Sequence, residues 1–183
     1  MPSHFPQLGA ALDDYRTRHP GEDELVAAFR VFLASHAAVF ERSHLLGHFT
    51  GSTWLVSADG GRVLLMHHRK LDRWLQPGGH ADGDAELARV ALREAQEETG
   101  VAGLRVEGSI FDLDRHRIPA RGSEPEHWHY DVRYVVRAGA DECFTINQES
   151  RALAWRAVIE VAGDESLDVS LRRMARKWLV RHR

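Results

Sequence analysis

The first 46 residues carry apolar side chains at helical spacing. In the run DELVAAFRVFLASHAAVFERS, the residues Leu25, Phe29 and Phe32 recur three or four positions apart, which is typical of one face of a helix. A Pro-Gly pair separates this run from a shorter helical candidate, LGAALDDYRTRH. We therefore predict a helical extension over residues 1–46. Its apolar stripe needs a partner surface, either the rest of the chain or a second copy of it.

After residue 46 the pattern changes to that of strands. Residues 49–56 and 62–68 form two strand candidates, and the turn sequence Asp-Gly-Gly between them is a strong hairpin signal. We predict a loop for the stretch RKLDRWLQPGG that follows. Asp84 is a plausible N-cap for a helix that runs to about Thr99 and ends at Gly100.

The second half of the chain alternates strand and loop signals before a final helix. LRVEGSIFDLDRHRI predicts one or two strands, PARGSEPE a loop, and HWHYDVRYVVRA a strand with clear alternation of polar and apolar residues. ALAWRAVIEVA predicts a short strand leading into a turn, and ESLDVSLRRMARKWLVRHR predicts an amphipathic helix. The order of elements indicates an α/β fold of the mixed α+β type, in which helices cover a mixed sheet.

Composition places the chain among ordinary globular proteins. It has 183 residues, 43% hydrophobic and 28% charged, with a net charge of −3 that argues against nucleic acid or an anionic membrane as the main partner. The single cysteine, Cys143, excludes an intramolecular disulfide and fits a reducing compartment. The N-terminus has no basic region before an apolar run, and no segment reaches the length of a membrane span. We expect a cytoplasmic protein.

Three carboxylates are concentrated on one face of the predicted central helix. In PGGHADGDAELARVALREAQEETGV, Glu94, Glu97 and Glu98 lie three or four residues apart, a spacing at which like charges repel. Clustered hard oxygen ligands are what Mg²⁺ or Mn²⁺ requires. Gly78 and Gly79 just upstream allow the backbone to approach a metal or phosphate closely. The alternative is a solvated acidic helix face, which the joint occurrence of these features disfavours.

The segment from Gly79 to Val101 resembles the Nudix box of the Nudix hydrolase superfamily. That signature is a glycine, five residues, Glu, seven residues, Arg-Glu, an apolar residue, any residue, Glu-Glu, any residue, glycine and an apolar residue. The matching pairs in this chain are Arg93-Glu94, Glu97-Glu98 and Gly100-Val101. One position departs from the signature, because its first glutamate falls at Ala85, between Asp84 and Glu86. The strand order over residues 48–162 is also similar to that fold.

The resemblance implies metal-dependent hydrolysis of a diphosphate linkage. It implies Glu94 and Glu98 as principal metal ligands, and Glu97 as a further ligand or part of the water-activating machinery. It also implies the carbonyl of Gly78 as a backbone ligand. Arg93 lies four residues before Glu97 and can pair with it, which would hold the glutamates in place. The implied cofactor is Mg²⁺ or Mn²⁺, because bridging cations bring an anionic substrate to an anionic helix face.

Histidines and aspartates alternate on two of the presumed strands. The two sets are His127, His129 and Asp131, and Asp112, Asp114 and His116. If the strands are neighbours, these side chains form a polar cleft, because alternate residues share a face. The other interpretation is two half-exposed strands with polar outer faces.

A weaker resemblance links HFTGSTWLVSADGGRVLLMHHRKLDRWLQPGGH to isopentenyl diphosphate isomerase, a relative of the same fold. His48 and His80 are placed similarly to two metal-binding histidines of that enzyme. The catalytic cysteine of the isomerase aligns with Gly78, and the isomerase lacks the full glutamate cluster, so we do not expect isomerisation. We expect His80 to support the glutamates or to contact substrate, rather than to form a dedicated metal site with His48.

Five residues are candidate substrate contacts. Arg115 and Arg117 suit phosphate recognition through their planar guanidinium groups, although a solvated loop is an equal alternative. His80 and His129 belong to the presumed polar cleft. Glu149 lies where members of the family often carry an extra carboxylate, which makes it a candidate general base or additional ligand.

The overall hypothesis is a Nudix-fold domain over residues 47–183, a three-layer α/β/α sandwich with a mixed sheet, preceded by the helical extension over residues 1–46. Its partner is a small-molecule diphosphate of the nucleoside diphosphate-X type or a related organic diphosphate. We expect neither a nucleic acid polymer nor a membrane as partner, and a homodimer stays open. The rival hypothesis is a ligand-sensing domain of the same fold without catalysis.

Overall fold

A computed structural model describes residues 5–122 and 124–181. The parts of the predicted extension, loop and last helix at residues 1–4, 123 and 182–183 lie outside the described residues. Three helices precede the fifth strand, and two follow the last strand; a one-turn 3₁₀ helix, Pro20–Glu22, joins the first two helices. The helices are α1 Pro6–Arg18, α2 Asp23–Ser35, α3 Leu87–Thr99, α4 Val158–Gly163 and α5 Val169–Arg181. The strands are β1 Gly47–Val56, β2 Arg62–His68, β3 Arg73–Leu75, β4 Gly78–His80, β5 Arg105–Ile118, β6 His127–Arg137 and β7 Ser150–Ala157.

The strands form one mixed sheet in the order β3-β2-β1-β6-β5, with β4 paired to β1 and β7 to β2. Central strand β1 runs parallel to β6 along its whole length and antiparallel to β2 and β4. Its first half pairs with β4, through Thr50 opposite His80, whereas its end pairs with β2, through Val56 opposite Val63. The glycine pair at the start of β4 therefore lies beside the centre of the sheet.

Helices cover both faces of the sheet, which confirms the predicted three-layer arrangement. On one face, Phe49 of β1 packs in a core with buried side chains of α1, α2 and α3. On the other face, Trp54 of β1 packs in a second core with buried side chains of α4 and α5. Residues 49 and 54 differ by an odd number of positions, so alternation along the strand sends them to opposite faces. No helix among residues 5–122 and 124–181 has the length and apolar character needed to cross a bilayer.

The N-terminal helices share their core with the sheet. The ring of Phe32 stacks on that of Tyr130 with centroids 3.9 Å apart, and Phe29 meets the same Tyr130 at 5.3 Å. At the other end, buried Tyr15 donates a hydrogen bond to Glu22 and accepts one from Lys177 of α5, both at 2.6 Å. The apolar stripe predicted for the extension is thus covered by the chain itself.

Four local predictions were wrong. Helix α2 ends at Ser35, and residues 36–46, which were predicted to be helical, form turns. The stretch predicted as a loop contains β3 and β4, which are three residues long and are specified by pairing with β2 and β1 rather than by their own pattern. The turn predicted after β7 is the short helix α4, whose Val158, Val161 and Ala162 face the second core. Helix α3 begins at Leu87, with Glu86 rather than Asp84 as its N-cap.

Candidate active site

Helix α3 sits unusually close to the centre of the sheet because β1 has a glycine beneath it. A Cβ atom on Gly51 would lie 2.9 Å from the Leu87 carbonyl oxygen and from a methyl group of Val90. The apolar side of α3 is buried against the sheet, and its acidic side faces β4. This packing brings Glu94 and Glu98 to the backbone of the glycine pair.

Glu98 is the most deeply buried of the three glutamates, with 6% of its surface exposed. One of its carboxylate oxygens accepts a hydrogen bond from the backbone N–H of Gly78 at 2.8 Å. Burial first, and then the charges of Glu94, Glu149 and Glu97, raise the pKa of Glu98 to about 8, against the opposing effect of that N–H. A buried carboxylate among like charges is a group that a cation would stabilise.

Arg93 ties the second glutamate to β4. Its guanidinium donates to Glu94 at 2.9 Å and to the backbone carbonyl of His80 at 3.1 Å. The sequence predicted a pairing of Arg93 with Glu97, four residues on, and this was wrong. The carbonyl of β4 draws the guanidinium toward the neighbouring Glu94 instead. Burial raises the pKa of Glu94, and the ion pair with Arg93 opposes that rise.

The glycine pair leaves room for side chains on both faces of β4. A Cβ atom on Gly79 would overlap the carboxylate of Glu94, and one on Gly78 would overlap the side chain and backbone of Ser52. Both contacts are too close for any other residue type without movement. A cysteine at Gly78, as in the isomerase, would therefore not fit the observed packing.

Two further carboxylates border the site from its exposed side. Glu97 and Glu149 are both exposed, and both raise the pKa of the buried Glu98 through their charge. The loop that carries Glu149 is attached to α3, because the side-chain amide of Asn147 donates to the backbone carbonyl of Glu97 at 3.3 Å. Four carboxylates thus converge, although Glu149 is about 50 residues from the others along the chain.

The two arginines proposed as phosphate contacts lie on the face of β5 opposite its histidine. The guanidinium groups of Arg115 and Arg117 lie 4.6 and 5.5 Å from the ring centre of Trp128, and Arg117 also pairs with Glu126. In the register of the sheet they stand opposite Tyr130 and Trp128, so they face away from the side of β5 that carries His116. The structure does not bring them together with the histidines.

Five histidines gather at one end of the sheet, on the face opposite α3. His48 lies beside His129 across the β1–β6 pair, and His116 faces His129 across the β5–β6 pair. Neighbouring rings in this cluster have centroids 4.8 to 5.5 Å apart. The five members are His48, His80, His116, His127 and His129. Strands β5 and β6 are neighbours, so the two polar sets noted in the sequence do form one polar face.

The surroundings of the inner histidines disfavour their charged form. Burial first, and then the neighbouring His80 and His127, lower the pKa of His48 to about 4. The same two causes, burial first and the surrounding imidazoles second, hold the pKa of His129 far below its usual value. Burial also lowers the pKa of His80.

A buried ionic network continues this polar face and was not found from the sequence. Arg133, 2% exposed, donates to Asp131 at 2.7 Å and to Asp112 at 3.3 Å. Asp131 also accepts hydrogen bonds from the Thr50 and Ser52 hydroxyls at 2.8 Å. Asp112 and Asp131 were predicted to be cleft residues. The residues around Arg133 in the sequence do not indicate that it is the buried counterion of both.

The chain matches the model of the NUDIX domain over residues 48–177. A Mycobacterium tuberculosis protein with the provisional name 8-oxo-dGTP diphosphatase 3 is 32% identical over 110 residues, which cover 57% of this chain and 48% of the relative. The chain therefore spans about half the length of the curated relatives that it matches.

Solved structures resemble it in fold. A C. elegans Ap4A hydrolase in a binary complex has a TM-score of 0.57 and 14% identity, covering 72% of this chain and 95% of the other. An E. coli dihydroneopterin triphosphate pyrophosphohydrolase has a TM-score of 0.59 and 16% identity, covering 78% of this chain and 99% of the other. The NUDIX domain of Shewanella oneidensis NrtR, complexed with ADP ribose, has a TM-score of 0.51 and 19% identity, covering 74% and 88%.

Proposed function

Because this chain belongs to the Nudix family, we propose that it hydrolyses a diphosphate linkage in a nucleoside diphosphate-X type or related organic diphosphate, with Mg²⁺ or Mn²⁺. The observation that carries the proposal is the convergence of Glu94 and Glu98 on the glycine pair of β4, with Gly78 donating its N–H to Glu98. This arrangement places carboxylate oxygens beside the half-buried backbone of β4, which suits hard divalent cations.

The donor set fits such a cation. Glu94 and Glu98 supply two carboxylates whose negative charge is poorly compensated, because the single guanidinium of Arg93 is shared between Glu94 and the His80 carbonyl. The backbone carbonyl of Gly78 is a third oxygen of the same segment. A bound divalent ion supplies charge neutralisation and a lowered pKa for an attacking water. Glu94, Glu98 and Gly78 would hold it, while Arg93 positions Glu94 against β4.

The remaining two carboxylates suit proton transfer. Glu97 and Glu149 are exposed and therefore accessible to a water molecule at the mouth of the site. Either can accept the proton of a water that attacks phosphorus, since a general base must lie within hydrogen-bond reach of that water. The loop contact from Asn147 to the Glu97 carbonyl holds Glu149 near α3 and makes it the second candidate for this role.

The proposed substrate is an organic phosphoanhydride. The related proteins are named for 8-oxo-dGTP, Ap4A and dihydroneopterin triphosphate, all organic phosphoanhydrides. Arg115, Arg117, His80 and His129 remain candidate substrate contacts. The cytoplasmic location and a homodimer remain predictions as well.

A ligand-sensing role is the second candidate, favoured by the likeness in fold to the NrtR domain bound to ADP ribose. A sensor would bind a diphosphate compound without releasing products. Binding and turnover can therefore be separated in one set of measurements.

The test is a screen of diphosphate compounds with the purified chain, measuring phosphate or monophosphate release with Mg²⁺ and with Mn²⁺. We expect metal-dependent release that vanishes in excess EDTA and returns when the ion is restored. Glu98→Gln should lower turnover at least a hundredfold, whereas Glu165→Gln, an exposed glutamate outside the cluster, should leave it unchanged. Binding of a diphosphate compound without release by the wild type would favour the sensor, and equal turnover by both variants would refute the role of Glu98.

A further inference from the structure

Three of the clustered histidines present nitrogens to one point. One ring nitrogen each of His48, His80 and His129 can be chosen so that all three lie within 4.8 Å of one another. The three residues come from β1, β4 and β6, and the sheet register fixes them: His48 is paired with His129, and His80 with Thr50 on the same face. His48 is 2% exposed, so its ring is held by packing.

The nitrogen separations resemble those between ligands of one metal ion. The Nε2 atoms of His48 and His129 are 3.1 Å apart, and those of His127 and His129 are 3.2 Å apart. Two nitrogens bound tetrahedrally to zinc at about 2.0–2.1 Å are separated by roughly 3.3 Å. The His48–His129 and His127–His129 distances lie close to that value, and the nitrogen of His80 lies within 4.8 Å of those of His48 and His129.

Hydrogen bonding between the rings does not fully account for these contacts. A ring nitrogen of a neutral imidazole carries either one proton or one lone pair in the ring plane. The Nε2 atom of His129 therefore forms a good hydrogen bond with only one of its neighbours, His48 or His127. A cation satisfies them together, since each nitrogen then directs a lone pair at the same ion.

The Nε2 atom of His48 is also available to a ligand. The Nδ1 atom of the same ring is buried and forms no hydrogen bond of regular geometry within the described residues. With its proton on Nδ1, His48 directs the Nε2 lone pair toward His129, whose Nε2 atom lies 3.1 Å away.

The geometry points to a transition-metal site formed by His48, His80 and His129, with His127 as a neighbouring fourth nitrogen, for an ion such as Zn²⁺. Imidazole ligands select borderline ions of this kind over Mg²⁺. The sequence did not predict this site, because the position of His129 beside His48 depends on the pairing of β1 with β6.

This site is separate from the glutamate site, although one strand carries both. The position of a Cβ atom on Gly79 points at Glu94, on the side of α3, whereas His80 shares the opposite face with Thr50 and His48. Hard oxygen ligands on one face and imidazoles on the other select different ions. The inference therefore goes beyond the proposed hydrolysis and does not depend on it.

The experiment titrates the metal-stripped full chain with Co²⁺ and Zn²⁺. We expect one equivalent of Co²⁺ to give the intense visible absorption of a four-coordinate nitrogen site, and Zn²⁺ to displace it. His80→Gln and His129→Gln should each weaken Zn²⁺ binding at least tenfold. Glu98→Gln, which alters the other site, and His68→Gln, a half-buried histidine outside the cluster, should bind as the wild type does.

A measurement on the wild type alone covers the case in which a variant does not fold. Addition of one equivalent of Zn²⁺ should shift the imidazole ¹⁵N resonances of His48, His80 and His129. Absence of a stoichiometric transition metal in the wild type would overturn the inference. Loss of binding in Glu98→Gln with retention in both histidine variants would overturn it too, by assigning the metal to the glutamates.

Discussion

At Glu98 the needs of folding and of metal binding oppose each other. The residue is buried, and burial together with the neighbouring carboxylates raises its pKa to about 8. Without a metal the folded chain favours the protonated acid, whereas a divalent cation favours the carboxylate. The same side chain therefore links pH, metal binding and stability.

The metal-free protein should lose stability through Glu98 as pH rises. The unfolded carboxyl ionises near its ordinary pKa of 4.5 and the folded one near 8, so the unfolded state binds fewer protons between those values. The slope is up to about 1.4 kcal/mol per pH unit within this window. Denaturant unfolding of wild type and Glu98→Gln in EDTA should show their difference in unfolding free energy falling from pH 5 to pH 8. Saturating Mg²⁺ should abolish the trend; a difference that is flat in EDTA would contradict it.

The two glycines of β4 should respond differently to the same substitution. A methyl group on Gly79 meets only the carboxylate end of Glu94, which can move, whereas one on Gly78 meets the side chain and backbone of Ser52. Gly79→Ala should therefore fold and lose most metal-dependent turnover, since Glu94 is displaced.

Gly78→Ala should instead lower the free energy of unfolding, by about 1–3 kcal/mol for an overpacked site. Gly108→Ala, which has nothing within 4 Å of the added carbon, is the matched control for both. Thermal melts and turnover on the three variants make the comparison. The distinction fails if Gly79→Ala is the less stable variant or retains full turnover.

At the scale of elements, the sequence pattern predicted the features that depend only on residues near one another in the chain. Helix α3, its stop at Gly100 and the acidic face were predictable, because helical spacing and a left-handed glycine are local features. β3 and β4 were missed because three residues are too few for a periodic signal. The partner of Arg93 was predicted wrongly, because spacing along a helix ignores a carbonyl on a neighbouring strand.

The histidine cluster shows the same limit more sharply. His48 and His129 are 81 positions apart, and their contact depends on the parallel pairing of β1 with β6. Alternation within each strand indicates which side chains share a face, but not which strands are neighbours. The polar cleft was therefore predicted only for the case in which the two strands are neighbours, and β5 and β6 are neighbours in the sheet.

At the scale of the whole molecule, the N-terminal helices are part of the domain core. Rings of α2 pack on Phe49 and Tyr130 of the sheet, and Tyr15 and Lys177 link α1 to α5. None of these contacts touches the acidic face of α3. The helices should consequently determine stability while leaving the chemistry of the glutamate site largely unchanged.

The matched pair Phe32→Ala and Val31→Ala tests this integration. Phe32 is 8% exposed and stacks on Tyr130, so its truncation should cost about 3–5 kcal/mol of unfolding free energy. Val31, on the same helix, is 72% exposed, and its truncation should cost less than about 0.5 kcal/mol.

Because helices and sheet share one core, both proteins should unfold in a single transition with circular dichroism and tryptophan fluorescence coinciding. At a temperature where Phe32→Ala is folded, its turnover should match that of Val31→Ala. A separate early transition for the helices, or turnover lost in proportion to stability, would show that the extension is an independent unit or part of the active site.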